Sequence, residues 1–527
     1  MRQALLTPLP RERAGTSSAV NLPAPTGGLN TRDSLAEMHP LDAVTLNNWF
    51  PRSGECVLRG GSSSFASSMT GTVKSLYVYS PTSGTKKLLA VTNSGIYDIT
   101  AGGVIGAVVK ALTNGYLNAV NITNSVGTSF FWAANGTDKP VLYDGATWTS
   151  LDGASTPAIT GVTTTSLVYP WLFKHRIFCI EKNSFNVWYL PIDSLGGAAV
   201  QFPLGNLFRR GGSLLSGTSW TLDGGDGADD LCVIATTEGE VAVYKGTDPS
   251  SASSWALVGV FYVGKPVGRR CFFRLGGDVG MLTESGVFPL ARLLQSGNVN
   301  FLSALSNKIQ PTYTDAVVNI GLSTEGWEGT VYPTFDALVV NVPAAGIFGA
   351  AQFVMNTITG AWCLFSNWPA FCFVTFNGVL YFGCASGVVR KAWDGSLKDD
   401  LGVDITATAQ TAWQYFSGRT ALKRVEAFRP LLAFDGQMEL RWGIAADYAL
   451  LQTASALARG AGVVGATWDV SPWDTTTWTP LLQRTNRWLS ARHFPGYAIA
   501  LGLQTVSNNC KLSWSGTDFV VRAGGLL

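Results

Sequence analysis

Short apolar runs separated by tight-turn signals dominate the chain between Leu88 and Lys391. Seven times in that span an apolar run meets a turn signal and a second apolar run follows. In the clearest copy, Asn377-Gly378 separates the runs 371–376 and 379–382. Asn-Gly between apolar strands favours a type I′ hairpin turn, whose two central residues both need φ > 0. The other copies centre on Asn93-Ser94-Gly95, Asn135-Gly136, Lys182-Asn183, Glu238-Gly239, Ser285-Gly286 and Ala345-Gly346. Successive centres lie about 40 to 60 residues apart, the spacing of four-stranded propeller blades. Helical periodicity is nearly absent over the same span. The pattern predicts an all-β fold, a β-propeller of about six to eight blades.

The flanks read differently. Residues 1–64 form an N-terminal arm and docking segment, extended at first because Pro8, Pro10, Pro23 and Pro25 deny helix and ladder hydrogen bonds. Within it, Asp42 is placed to cap a helical turn carrying Val44, Leu46 and Trp49. The propeller is expected over 65–400, with insertions near 204–230 and 290–309. The second insertion, with Leu293, Leu294, Phe301, Leu302, Leu305 and Ile309, carries the one convincing helical pattern of the middle. Beyond Trp393-Asp394-Gly395 the strands lengthen and tryptophan becomes frequent, with Trp468, Trp473 and Trp478 spaced five apart. Residues 401–527 therefore read as a second β domain, a sandwich or sheet platform.

Composition sharpens this picture. Only 14% of the 527 residues are charged and 46% are hydrophobic, values that suit much buried surface or extensive subunit contacts. The net charge is +2, which argues against a nucleic-acid-binding polycation. Fifty-nine glycines against six methionines again favour turns and strands. No charge falls between Ala337 and Val389, but Asn341-Val342-Pro343, Asn356, Asn367-Trp368-Pro369 and Asn377-Gly378 cut that stretch into pieces of strand length, below the ~20 residues of a membrane helix. Residues 1–20 lack the apolar core of a secretory signal. The eight cysteines are irregularly spaced, mostly inside apolar runs, and read as reduced core residues.

Candidate chemistry is sparse. Gly259 to Lys265 matches the opening of a phosphate-binding loop, but Pro266 replaces its hydroxyl and Val260–Val263 is bulky, so the segment reads as a strand. The run Asp223-Gly-Gly-Asp226-Gly-Ala-Asp229-Asp230 reads as a solvated turn, with a Ca²⁺ loop as the alternative. His39, His175 and His493 show no zinc spacing, and no G-x-S-x-G elbow surrounds any serine. No enzyme, metal or cofactor is expected on these grounds. A glycan-cleaving propeller would have only the acids at 223–230 to draw on. Lys265, Arg269, Arg270 and Arg274, with Arg209-Arg210, form a basic cluster that reads as a subunit interface or solvated edge before a DNA passage. The interface candidates are Trp49, Phe50, Arg269, Arg270, Trp473 and Trp478, because aromatics and arginine dominate interface energetics.

Several stretches resemble a known family. The run Ala24-Pro-Thr-Gly-Gly28-Leu-Asn30-Thr-Arg-Asp-Ser34, with Asp42 through Pro51 and Leu58-Arg59-Gly60-Gly61, resembles the start of tail nozzle proteins of short-tailed, podovirus-type bacteriophages. These are also described as tail tubular or packaged-DNA stabilisation proteins. Lys174-His175-Arg176 through Pro191, Val263-Gly264-Lys265-Pro266 through Gly286, and the Trp468–Trp478 repeat are similar to the same family. The resemblance implies a structural virion protein, assembled in the host cytoplasm and located in the viral tail. It implies a homo-hexameric ring that joins the head–tail adaptor to tail fibres or spikes, retains packaged double-stranded DNA and conducts it during ejection. The residues themselves leave open a propeller module that binds glycans or proteins.

Overall fold

The computed structural model describes residues 17–221, 230–292, 303–343, 350–416, 418–436, 438–450, 455–456, 483–485, 487–507 and 509–523. Trp468, Trp473, Trp478, Asp223, Asp226, Asp229 and the Ala345-Gly346 turn lie outside them.

Among the described residues, seven antiparallel sheets follow one another round a closed ring. Their innermost strands are Ser75–Tyr79, Asn118–Thr123, Leu167–Phe173, Leu214–Trp220, Phe272–Leu275, Glu328–Tyr332 and Cys372–Phe376, each against the next and the last against the first. Six of these sheets have at least four strands; the fifth in order, Phe272–Leu275 with Asp278–Thr283 and Gly286–Pro289, has three. This is a β-propeller, as the turn rhythm predicts. The seventh blade is closed by the strand Ser62–Ser67, which pairs antiparallel with Val389–Ala392. A ring closed this way leaves no open sheet end at its seam.

The turn signals fall where a blade needs them. In the first five blades each one joins the second strand to the third. Asn377 and Gly378, at φ 48° and 76°, form the I′ turn but join the first and second strands of the seventh blade. That copy therefore lies at the opposite end of its sheet, which is why it follows Ala345 more closely than the others follow one another. Second strands such as Leu231–Thr236 and Ala337–Val342 are buried along their whole length, packed on both faces by neighbouring blades. This packing accounts for the charge-free stretches.

The N-terminal segment is not a free arm. Ser17–Pro23 pairs along the C-terminal strand, from Ser17 opposite Arg522 to Pro23 opposite Gly516. The helical turn expected at Asp42 is a strand, Asp42–Asn47, followed after Asn48 (φ 59°) by Trp49–Arg52. Asp42 accepts hydrogen bonds from Asn30 and Lys308 instead of capping a helix, and the β-branched Val44-Thr45 pair favours the extended chain. The second insertion opens helically at residues 290–292, its Leu293, Leu294, Phe301 and Leu302 lie outside the described residues, and a helix Gln310–Ile320 follows just beyond the expected span. Pro311 in its first turn, where a missing N–H costs nothing, is the signal that marks it. Its Tyr313 hydroxyl donates to Thr283 O at 3.0 Å and anchors it to the fifth blade.

The remaining strands form a two-sheet β domain. One sheet continues from the sixth blade through Asp42–Asn47 to Thr406–Thr411, Ile499–Val506 and Glu439–Ala446. The other holds Trp49–Arg52, Glu55–Leu58, Leu512–Ala523, Lys423–Phe434 and Leu489–Gly496. Phe428 of the second sheet meets Trp442 of the first edge-on at 4.6 Å. At the junction with the propeller, the buried Arg59 spends all five N–H groups. It donates to Asn48 Oδ1, Gly60 O, Ser366 O and both oxygens of Asp400, and stacks on Trp368 at 5.0 Å.

Candidate functional site

The axis of the propeller holds a cavity of about 220 Å³, lined from six of the seven inner strands and by Arg270. Arg270 lies just before the fifth blade and reaches across the axis. Its Nη1 donates to Glu328 Oε2 at 3.0 Å and Lys74 O at 3.2 Å. Its Nη2 donates to Ser75 Oγ and to Leu117 O at 2.9 Å. One side chain thus ties the fifth and sixth blades to the first and to the entry of the second. Burial pushes the Glu328 carboxyl up from its ordinary range, against the pull of Arg270 and the Phe373 amide. Tyr116, Tyr77 and Arg270 stack at the same place, with the guanidinium 4.5 Å from the Tyr116 ring centre and 5.9 Å from that of Tyr77.

Arg269 sits one step outward. It is half-buried, 5.7 Å from the Tyr116 ring centre, and lines a second cavity of about 230 Å³ with Glu325, Thr237 and Leu322. Burial pulls its pKa below the ordinary arginine value. Lys74 and Glu325, 2.8 Å apart, complete this mouth.

The basic cluster seen in the sequence is therefore divided. Arg270 is largely inside the propeller, its side chain 11% exposed and bonded to neighbouring blades, which leaves it little surface for another subunit or DNA and corrects its assignment as an interface residue. Lys265 is paired with Glu238 at 2.8 Å, while Arg274 and Arg209 are exposed. Arg210 stacks on Tyr262 at 3.7 Å. Trp49 and Phe50 are also fully buried, Trp49 against Trp514 at 5.9 Å and Phe50 edge-on to Trp393 at 5.0 Å. They join the propeller to the second domain within one chain, so their aromatic surface is spent before any partner arrives. Trp473 and Trp478 lie outside the described residues.

A surface that sequence reasoning read only as a strand is more telling. Trp255–Tyr262 is the outermost strand of the fourth blade, and no described strand pairs with its outer edge. It carries no charge, yet Leu257 is 42%, Val258 54%, Val260 36% and Tyr262 39% exposed. Val258 falls at a bulge, between Leu257 opposite Tyr244 and Gly259 opposite Val243. This is also the segment that mimics a phosphate-binding loop, and its Gly259 is in the ladder. The signal available in the sequence was eight uncharged residues at the end of a blade, where an edge strand is ordinarily guarded by charge.

Elsewhere the chemistry is structural. All eight cysteines are buried thiols, and burial pushes Cys384 up to about 11 and Cys232 to about 12. His175 is exposed beside Asp193 at 3.4 Å. Asp230, at the end of the acidic run, is buried and paired with Lys174 at 2.7 Å. Among the described residues, no group of three or more metal-ligating side chains converges. No described helix is long and apolar enough to cross a membrane.

The class defined by this geometry is an all-β propeller fused to a two-sheet β domain. No family model and no curated protein matches the chain. Among solved structures, the extracellular domain of BT4673 from B. thetaiotaomicron is similar over 66% of this chain, at 10% identity and a TM-score of 0.40; this chain spans 41% of that one. BBS1N, solved in complex with ARL6DN, is similar over 64% of this chain and 98% of its own, at 13% identity and a TM-score of 0.37. The computationally designed Ika8 protein is similar over 63% of this chain and 100% of its own, at 10% identity and a TM-score of 0.33.

Proposed function

We propose that this chain is a non-catalytic binding and assembly module that takes up another protein segment along the free edge of the fourth blade. The observation that carries this reading is the uncharged, exposed edge strand Trp255–Tyr262. Its outward backbone N–H and C=O groups form a template for an added strand, and Leu257, Val258, Val260 and Tyr262 supply the apolar contacts that fix register. Arg210 over Tyr262 places a cation at one end of the strand, which suits a partner segment with an acidic flank.

In the setting that the N-terminal and central motifs resemble, the partner is a second copy of this chain in the tail nozzle ring of a short-tailed phage. Such a ring would connect the adaptor to distal tail parts and hold and conduct DNA. Its lumen would lie between subunits, because Arg270 spans the axis of each propeller.

Mass photometry and negative-stain imaging of the full chain test both levels. The expected result is a six-fold ring in the native chain and a monomer in the double variant Val258→Lys, Val260→Lys, with unfolding within about 0.5 kcal/mol of native because both sites are exposed. A native chain that stays monomeric at every concentration overturns the nozzle. A ring that survives the double variant overturns the edge strand as its contact.

A further inference from the structure

The axial cavity contains more hydrogen-bond donors than the propeller uses. Asn118, which opens the inner strand of the second blade, is only 5% exposed, yet its Nδ2 has no hydrogen-bond partner among the described residues. Arg270 Nε is buried and unpartnered in the same way. Both side chains line the same cavity. Two of the acceptors beside them are committed. Glu328 accepts from Arg270 Nη1 through one oxygen and from the Phe373 amide through the other, and Leu117 O receives Arg270 and the Tyr77 hydroxyl. Buried polar groups are almost always satisfied, so two unmet donors facing one space call for an acceptor in that space.

Among the described residues, Arg270 is the one cation lining the axial cavity, and it meets Glu328 through Nη1 alone, so its Nε is left to face a negatively charged oxygen. The unpartnered Tyr116 hydroxyl, also buried, lines the neighbouring cavity beside Arg269.

We infer that the propeller axis is a binding site for a small planar monoanion of formate, acetate or nitrate size, received by Asn118 Nδ2 and Arg270 Nε. Two donors from separate blades match an anion with two oxygens in one plane. A cavity of about 220 Å³ has ample room for an anion of this size. The site belongs to the single propeller and does not depend on edge-strand assembly.

The test is thermal unfolding of the full chain in rising sodium formate, acetate or nitrate, with ionic strength held constant by sodium chloride. Binding to the folded state raises the midpoint in a saturable way. Asn118→Leu is expected to weaken the response at least tenfold, and Asn118→Asp, which adds a negative charge, to abolish it. Arg269→Gln at the mouth keeps the axis intact and is expected to weaken binding about tenfold, giving a reading if the Asn118 variants fold poorly. A native chain with no saturable response to any of the three anions overturns the site. So does an unchanged response in Asn118→Leu, or a density map from acetate-soaked material with water alone on the axis.

Discussion

At the scale of single residues, a small number of buried charges hold distant segments together. Arg59 is the clearest case, a buried guanidinium whose acceptors come from the N-terminal segment, the sixth blade and Asp400. Arg59→Met leaves Asp400 buried without its counter-charge, and the expected loss is about 3–5 kcal/mol by urea unfolding. Asp138 does related work between the first two blades, accepting from Thr113 N and Oγ1, Asn114 N and Asn135 Nδ2. Burial opposes its charge, but these bonds hold the carboxyl below its ordinary value. Its stabilisation is therefore present above about pH 4 and fades as pH falls through the lowered folded value. Asp138→Asn should cost about 1–2 kcal/mol at pH 7 and show a flatter acid limb when unfolding is followed from pH 7 to 3, with the partial exposure keeping the effect modest. The roles of such residues were poorly legible in the sequence. Trp49, Phe50 and Arg270 have the residue types of a binding surface, but whether a side chain meets solvent or its own chain depends on partners hundreds of positions away. Trp514 and Trp393 are those partners for the two aromatics.

At the scale of elements, local chemistry was far more readable. Asn-Gly and Glu-Gly between apolar runs specify hairpins because the backbone itself needs φ > 0 there, and Asn377, Gly378 and Gly239 adopt it. Which pair of strands a turn joins is a matter of topology, so the shifted role of Asn377-Gly378 did not show. The strand Asp42–Asn47 was hidden for a similar reason, since apart from the two-residue strand Gly28–Leu29 its neighbours are Thr406–Thr411 and the sixth blade, far away in sequence. Gly387, at φ 65° in the turn between Val379–Gly383 and Val389–Ala392 of the seventh blade, has its open face against the backbone of Met69. Gly387→Ala adds left-handed strain to a backbone clash, and a loss of about 2–4 kcal/mol in chemical denaturation is the expected outcome.

At the scale of the whole molecule, the turn rhythm gave the propeller and the change in texture after Trp393 gave a second β domain. The weaving of the two did not emerge, because it rests on pairings between the ends of the chain. Residues 17–58 belong to the sheets of the second domain, and Ser62–Ser67 finishes the last blade. That clasp has a consequence for how the protein is made. A nascent chain has its first propeller strand ready early but waits more than three hundred residues for Val389–Ala392 to meet it. Until then the annulus gapes at one seam with a naked β margin, so premature termination upstream of that point should produce sticky fragments rather than a smaller working wheel.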